Sequence, residues 1–196
     1  MYATRISNND VSIFEQIESQ TTADDRVTLL KIQNIIRDQG SYNYLEIGSF
    51  RGGTIQPHYV DQSCASIVSI DPRPEYTPDE RGLDCHYDLV KSADMLSNLK
   101  KAFPEVPHKV TCIDLDSSHV STSDLMCRPN LLFIDGEHTD NAAYVDFLFC
   151  CKVYASDSMI LLHDSHYIFK AIPKMKNYLI TQSIKYQSYK LGGSIY

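Results

Sequence analysis

Short apolar runs alternate along the chain with longer segments whose apolar residues recur at helical spacing. Tyr44-Leu45-Glu46-Ile47, Ile67-Val68-Ser69-Ile70, Val110-Thr111-Cys112-Ile113, Leu131-Leu132-Phe133-Ile134 and Met159-Ile160-Leu161-Leu162 carry little solvent-facing alternation. Such runs belong to strands buried on both faces, predicted here over 43–47, 66–71, 109–114, 130–135 and 158–164. Helices are predicted over 9–20, 23–39, 54–62, 88–102, 139–155 and 167–181. Gly40 is a stop signal for the second, and Pro57 falls in the first turn of the third, where a missing N–H costs little. Two further strands over 184–190 and 193–196, joined through Gly192-Gly193, predict an antiparallel addition at one edge. The alternation implies an α/β class with a doubly wound, mostly parallel sheet and helices on both faces, a three-layer sandwich. With no internal repeat or linker, 1–196 reads as a single domain in which 1–22 form an N-terminal helical extension.

Composition narrows the function classes. The chain has 196 residues, 43% of them hydrophobic, enough for a substantial core. Its formal net charge of −7 argues against following nucleic acid or an anionic membrane by bulk electrostatics. No apolar run is long enough to span a bilayer, and the first residues lack the apolar core of a signal peptide, so a cytoplasmic location is expected. Cys64, Cys112, Cys150 and Cys151 fall in or beside core elements and read as small buried hydrophobes. No cysteines form a C-x-x-C pair, and Cys85-His86 sits in the predicted 72–87 loop without metal-binding partners. The N-terminal helices could pack on their own sheet or on a second subunit, which leaves a homo-oligomer open.

The chemistry concentrates at strand ends. Glu46-Ile47-Gly48-Ser49-Phe50-Arg51-Gly52-Gly53-Thr54 reads as a strand, a glycine turn and a helix start, the place where open α/β sheets bind nucleotide-like ligands. The Gly-x-x-x-Gly-Gly spacing differs from the dinucleotide fingerprint, and Glu46 suits a ligand with a cationic end rather than a pyrophosphate. Asp71, after the second strand, stands where a ribose-binding acid is expected, against the simpler reading of a turn acid before Pro72. Asp116-Ser117 after the third strand could meet an adenine edge; an Asx turn explains it about as well. In Asp135-Gly136-Glu137-His138 the imidazole could be a general base, and Asp135 a metal ligand or the group that orients it. His163-Asp164-Ser165-His166 adds oxygen and nitrogen donors at the next strand end. Asp135 and Asp164 could hold Mg²⁺, with Mn²⁺, Fe²⁺ or Zn²⁺ open to a set that includes histidine. Tyr76, Tyr87 and His86 could line the site or simply face solvent.

These motifs resemble class I S-adenosylmethionine-dependent methyltransferases, with the similarity running from about residue 25 to the C-terminus. The resemblance implies a Rossmann-like, seven-stranded sheet with an antiparallel last strand. It places S-adenosylmethionine against Glu46, Gly48, Ser49, Gly52, Gly53 and Thr54, with Asp71 on the ribose and Asp116 and Ser117 nearby. Within that superfamily, Phe133–His138 and Leu161–Asp164 are most similar to a metal-dependent O-methyltransferase branch that includes macrolide-sugar methyltransferases and cephalosporin-hydroxylase-like proteins. By resemblance, Asp135 and His138 are the catalytic pair, and Asp135, Asp164 and the neighbouring His163 the metal donors. The residues flanking Asp164 depart from the acid or amide usual there. The implied reaction is O-methylation of a small-molecule acceptor such as a sugar, with possible help from a divalent ion. A non-catalytic cofactor-binding protein of the same fold is the alternative, and an NAD(P)-dependent oxidoreductase fits the glycine spacing less well.

Overall fold

The computed structural model describes residues 2–77, 79, 82 and 85–196. Helix α1 (Tyr2–Ser7) and a 3₁₀ turn at Val11–Phe14 precede α2 (Ala23–Asp38). Strand β1 (Tyr42–Ile47), α3 (Gln56–Val60) and β2 (Cys64–Ile70) follow. Two-residue strands β3 (Tyr76–Thr77) and β4 (Cys85–His86) pair antiparallel. Then come α4 (Ser92–Ala102), β5 (Val110–Ile113), β6 (Leu131–Ile134), α5 (Asp140–Val153), β7 (Met159–Leu162) and α6 (Ala171–Thr181). The main sheet has five parallel strands in the order β5-β2-β1-β6-β7.

Side chains alternate across this sheet, so its central strands feed two cores. Tyr44, Ile67, Leu131 and Phe133 point into the layer of α1 to α4, with Ile6, Phe14, Leu30 and Leu99. Leu45, Ile47, Val68, Leu132 and Ile134 point into the layer of α5 and α6, with Phe147, Cys150 and Met175. The result is an α/β/α sandwich. Of the cysteines read as buried, Cys64 and Cys150 are buried while Cys112 and Cys151 are half-buried, all with free thiols. The side chain of Cys85 and part of the predicted 72–87 loop lie outside the described residues.

The sheet differs from expectation at its end. Among the described residues the C-terminal strands predicted over 184–190 and 193–196 do not form. Leu162 and Tyr196 nonetheless exchange both backbone hydrogen bonds, at 2.8 and 2.9 Å, an antiparallel-type pair on the β7 edge. Gly193, at φ +68, turns the tail tightly against Asp25. The tail is therefore tied to that edge at isolated points instead of along a ladder.

The N-terminal segment is also less helical than its periodicity predicts. Asp10 accepts from the Ser12 N–H and caps a single 3₁₀ turn, and residues 15–22 are irregular. One side chain supplies hydrogen bonds to the start of this segment instead. The Gln56 carbonyl accepts from the N–H groups of Gln16 and Ile17, and its amide donates to the carbonyls of Phe14, Ile17 and Gly53. Periodicity sees the buried Ile13, Phe14 and Ile17 but not that another element supplies the hydrogen bonds.

Alternation also decides the place of Glu46. It is the penultimate residue of β1 and shares the face of Tyr44, so its carboxyl is fully buried. Tyr44 Oη and Thr54 Oγ1 each donate to it at 2.5 Å. Burial, which outweighs these hydrogen bonds, pushes its pKa up to about 8. It is protonated at neutral pH and offers no negative charge to a ligand.

Two predictions follow from these buried groups. Gln56→Ala leaves buried backbone groups unpaired and should lower unfolding free energy by about 2–4 kcal/mol, read as a fall in the urea midpoint. The second concerns pH. In the folded chain Glu46 keeps its proton to about pH 8, whereas the unfolded chain releases it near 4.5. The folded state then binds the extra proton, so this group's stabilisation, full below 4.5, is lost as pH rises to about 8. Glu46→Gln removes that dependence. The stability of the variant relative to the parent should rise by roughly 2–4 kcal/mol between pH 5 and pH 9; a flat difference would show that Glu46 is ionised in the fold.

Candidate active site

The order β5-β2-β1-β6-β7 reverses its winding between β1 and β6, and ligands of doubly wound sheets bind in the crevice beyond that point. A cleft of about 550 Å³ opens there, at the carboxyl ends of the strands. Its walls are the turn after β1, the segments after β2 and β6, one face of α5, and Glu18-Ser19-Gln20 from the N-terminal segment.

The turn after β1 is shaped first by the protein's own packing. Gly48 has φ +89, and a Cβ there would stand 2.1 Å from the carbonyl oxygen of Asp135. This glycine lets the β1 turn touch the β6 turn across the crevice. A Cβ on Gly53 would meet the carbonyl oxygen of Glu18 at 2.2 Å, so this position is reserved for the N-terminal wall. Gly52 faces Met95 and does not line the cleft, and neither does Glu46. Gly48, Ser49, Gly53 and Thr54 do line it. Ser49 Oγ is buried and has no hydrogen-bond partner among the described residues.

Asp71 is a junction. One carboxylate oxygen accepts from the Phe50 N–H at 2.7 Å and the other from the Arg73 N–H at 2.8 Å. Both donors have left-handed backbones, Phe50 at φ +43 and Arg73 at φ +50. The acid thus holds two strained turns together and still lines the cleft. Each of its oxygens has a further acceptor site. Arg73 donates away from the cavity, to Asp114 and Ser69.

Asp116 forms the Asx turn, accepting from the Ser118 N–H at 2.8 Å, and it also lines the cleft beside Ser117. Ser117 Oγ donates at 2.5 Å to Asp146 on α5. Burial pushes Asp146 up to about 7, so much of it is protonated at neutral pH. The reading from sequence missed Asp146; an acid between Val145 and Phe147 on an apolar helix was the available signal. It also missed Glu18 to Gln20, which Gln56 seats through the preceding residues while Arg51 and Arg26 hold Glu18 and the Ser19 carbonyl. Tyr76 and Tyr87 line the cavity, and His86 packs against Tyr76.

Beyond β6 and β7, carboxylates and imidazoles alternate. Asp25 Oδ2 lies 3.4 Å from His163 Nε2, and His163 Nδ1 lies 2.7 Å from Asp135 Oδ1 and 3.3 Å from Asp164 Oδ2. Asp164 Oδ2 is 3.1 Å from His138 Nε2, and His138 Nδ1 is 3.0 Å from Asp79 Oδ2. Burial works against a charge on His163, but Asp135, Asp164 and Asp25 outweigh it and push its pKa up to about 12. In turn His163 holds Asp164 below the usual carboxylate range against the opposing effect of burial. His163 thus lies as a buried imidazole beneath Asp135 and Asp164. Ligand atoms of Asp135, His138 and Asp164 lie within 4.8 Å of one another. Two carboxylates and an imidazole suit a hard or borderline divalent ion.

Residues 45–165, more than half of the chain, match the family model described as a methyltransferase domain. No curated protein matches the chain. Among solved structures, the O-methyltransferase NovP aligns over 97% of this chain and 77% of its own, at 12% identity and a TM-score of 0.62. CalS11, a calicheamicin methyltransferase, aligns over 95% and 87% at 11% identity, with a TM-score of 0.58. The SAH-bound methyltransferase PaMTH1 of Podospora anserina aligns over 92% and 78% at 15% identity, with a TM-score of 0.52. The chain spans only 46% of one other matched structure, an S-adenosylmethionine-dependent methyltransferase from Clostridium acetobutylicum. At these identities the likeness is one of fold, and the family match adds the rest: the chain belongs to the methyltransferase-domain family, with the class I S-adenosylmethionine-dependent methyltransferase fold.

Proposed function

We propose that the chain transfers a methyl group from S-adenosylmethionine to a hydroxyl of a small molecule such as a sugar or other polyhydroxylated metabolite. The observation that carries this reading is that one cleft, at the switch point of the sheet, joins Asp71 and the glycine turn to Asp135 and His138. When bound, S-adenosylmethionine would supply an electrophilic methyl on a positively charged sulfur. Asp71 accepts hydrogen bonds from the ribose hydroxyls with the acceptor sites left free by Phe50 and Arg73. Ser49 Oγ, buried without a partner among the described residues, gains one from the ligand. Asp116, Ser117 and the partly protonated Asp146 face the base. Glu18, Asp116, Asp135 and Glu137 give the cavity a negative lining that favours a cationic ligand.

On the acceptor side, Asp135 and Asp164 would hold a divalent ion such as Mg²⁺, which would lower the pKa of the acceptor hydroxyl. His138 stands beside them and takes the hydroxyl proton at Nε2. Asp164, 3.1 Å from that nitrogen, stabilises the imidazolium that results. His163 keeps Asp164 ionised without reaching the cleft itself. Most of the rate gain comes from holding the hydroxyl in line with the methyl.

Isothermal titration with S-adenosylmethionine, S-adenosylhomocysteine and NAD⁺, each with and without Mg²⁺, should show binding of the first two only. Asp71→Asn should weaken S-adenosylhomocysteine binding by about tenfold, since a charge-assisted hydrogen bond becomes a neutral one. In a screen of sugars and phenols, Asp135→Ala should abolish methyl transfer and retain cofactor binding. Full activity in that variant refutes the catalytic assignment, and binding of NAD⁺ alone refutes the cofactor.

A further inference from the structure

His138 is held from both sides, and its second carboxylate comes from an unexpected place. Asp79 lies in the segment between β3 and β4, 59 residues earlier in the chain. Its side chain is fully buried, although the segment follows a run of prolines and charges that reads as surface loop. Two independent contacts join it to His138: Oδ2 is 3.0 Å from Nδ1, and the two residues form a parallel backbone bridge. A bridge places the backbones side by side, so the carboxylate meets the ring in one register only.

We propose that Asp79 is a positioning residue that fixes a proton on His138 Nδ1 and so turns Nε2 toward Asp164 and the cleft. A carboxylate can only accept a hydrogen bond, so each acid beside the ring favours a proton on the nitrogen it faces, Asp79 on Nδ1 and Asp164 on Nε2. Asp79 is the closer and the more deeply buried of the two, and its backbone is bridged to that of His138, so in the neutral ring the proton stays on Nδ1 and the lone pair on Nε2. This is the logic by which a third group orients a general base. Tyr76, Thr77 and Tyr87, from the same excursion of the chain, line the cleft. Seating this excursion on the β6 turn and orienting His138 are therefore one event. The inference gives a cause to the base assigned under the proposed function and rests on that assignment for its catalytic meaning, but the positioning itself can be observed without turnover.

The test is long-range ¹H–¹⁵N correlation of histidine-labelled protein, with His138 assigned by loss of its signals in His138→Gln. In the parent chain Nδ1 of His138 should appear as a protonated nitrogen. Asp79→Asn keeps an acceptor oxygen and should preserve that signature. Asp79→Ala removes that acceptor and should lose the signature, moving the proton to Nε2, which Asp164 still faces. A parent spectrum with the proton on Nε2 alone overturns the proposal, whether or not the variants fold. So does an unchanged Nδ1 signature in a folded Asp79→Ala. Titration with S-adenosylhomocysteine separates the two ideas: failure of the parent to bind it would defeat the methyltransferase reading while leaving the His138 result to stand or fall alone.

Discussion

The reacting edge of this protein depends on a buried ion pair that no ligand needs to touch. Asp25 is completely buried on the first turn of α2, where it completes the Thr22 capping box. It accepts from Thr22 N and Oγ1, from Ser194 N and Oγ, and faces His163 Nε2. Burial alone would favour its neutral form, but these donors hold it well below the usual carboxylate range. A charge buried this deeply persists only while its partners are in place. The pair therefore joins three things that are distant in sequence: the helix that covers the sheet, the chain's last turn, and the imidazolium beneath Asp135 and Asp164. Asp164 stays ionised there because a protonated ring lies beside it.

Around that pair the sheet does ordinary work. Parallel strands with apolar side chains on both faces bring the segments after β1, β2, β6 and β7 to a single edge, and the reversal of strand order opens a crevice there. Residues just past a strand end are free of the alternation and can turn into the crevice, as Asp71 and Asp135 do. Residues still inside the strand cannot. A step of two residues along the strands separates Glu46, protonated among helices, from the acids that line the cavity.

The same rule marks how far the sequence could be read. The five parallel strands, the helices from Ala23 onward and the convergence of acids were all visible, because apolar runs and helical spacing are local signals. The burial of Glu46 was not: the strand predicted over 43–47 already contained it, but the helices that cover the face it shares with Tyr44 come from distant parts of the chain. The segment 15–22 was not, because the hydrogen bonds at its start come from Gln56. Asp25 and Asp79 carried no signal of their own; what makes them matter is a contact over 138 residues in one case and 59 in the other. The glycines were recognised but not for their whole purpose. Gly48 and Gly53 make room for Asp135 and Glu18, so they shape the cavity by letting its own walls meet.

The Gln56 amide carries an implication for the order of assembly. Its partners lie 39 to 42 residues away at Phe14, Gln16 and Ile17, and the irregular segment has no regular hydrogen bonding of its own to hold it. It can settle only after β1 and α3 have presented that side chain, because the loop closure is costly until a docking surface exists. The wall built from Glu18 to Gln20 therefore hangs on three side chains of later segments: Gln56 at its root, Arg26 on the Ser19 carbonyl and Arg51 on the Glu18 carboxylate. Each of them belongs to the helical layer or the glycine turn, so that side of the cleft can loosen without any movement of the sheet.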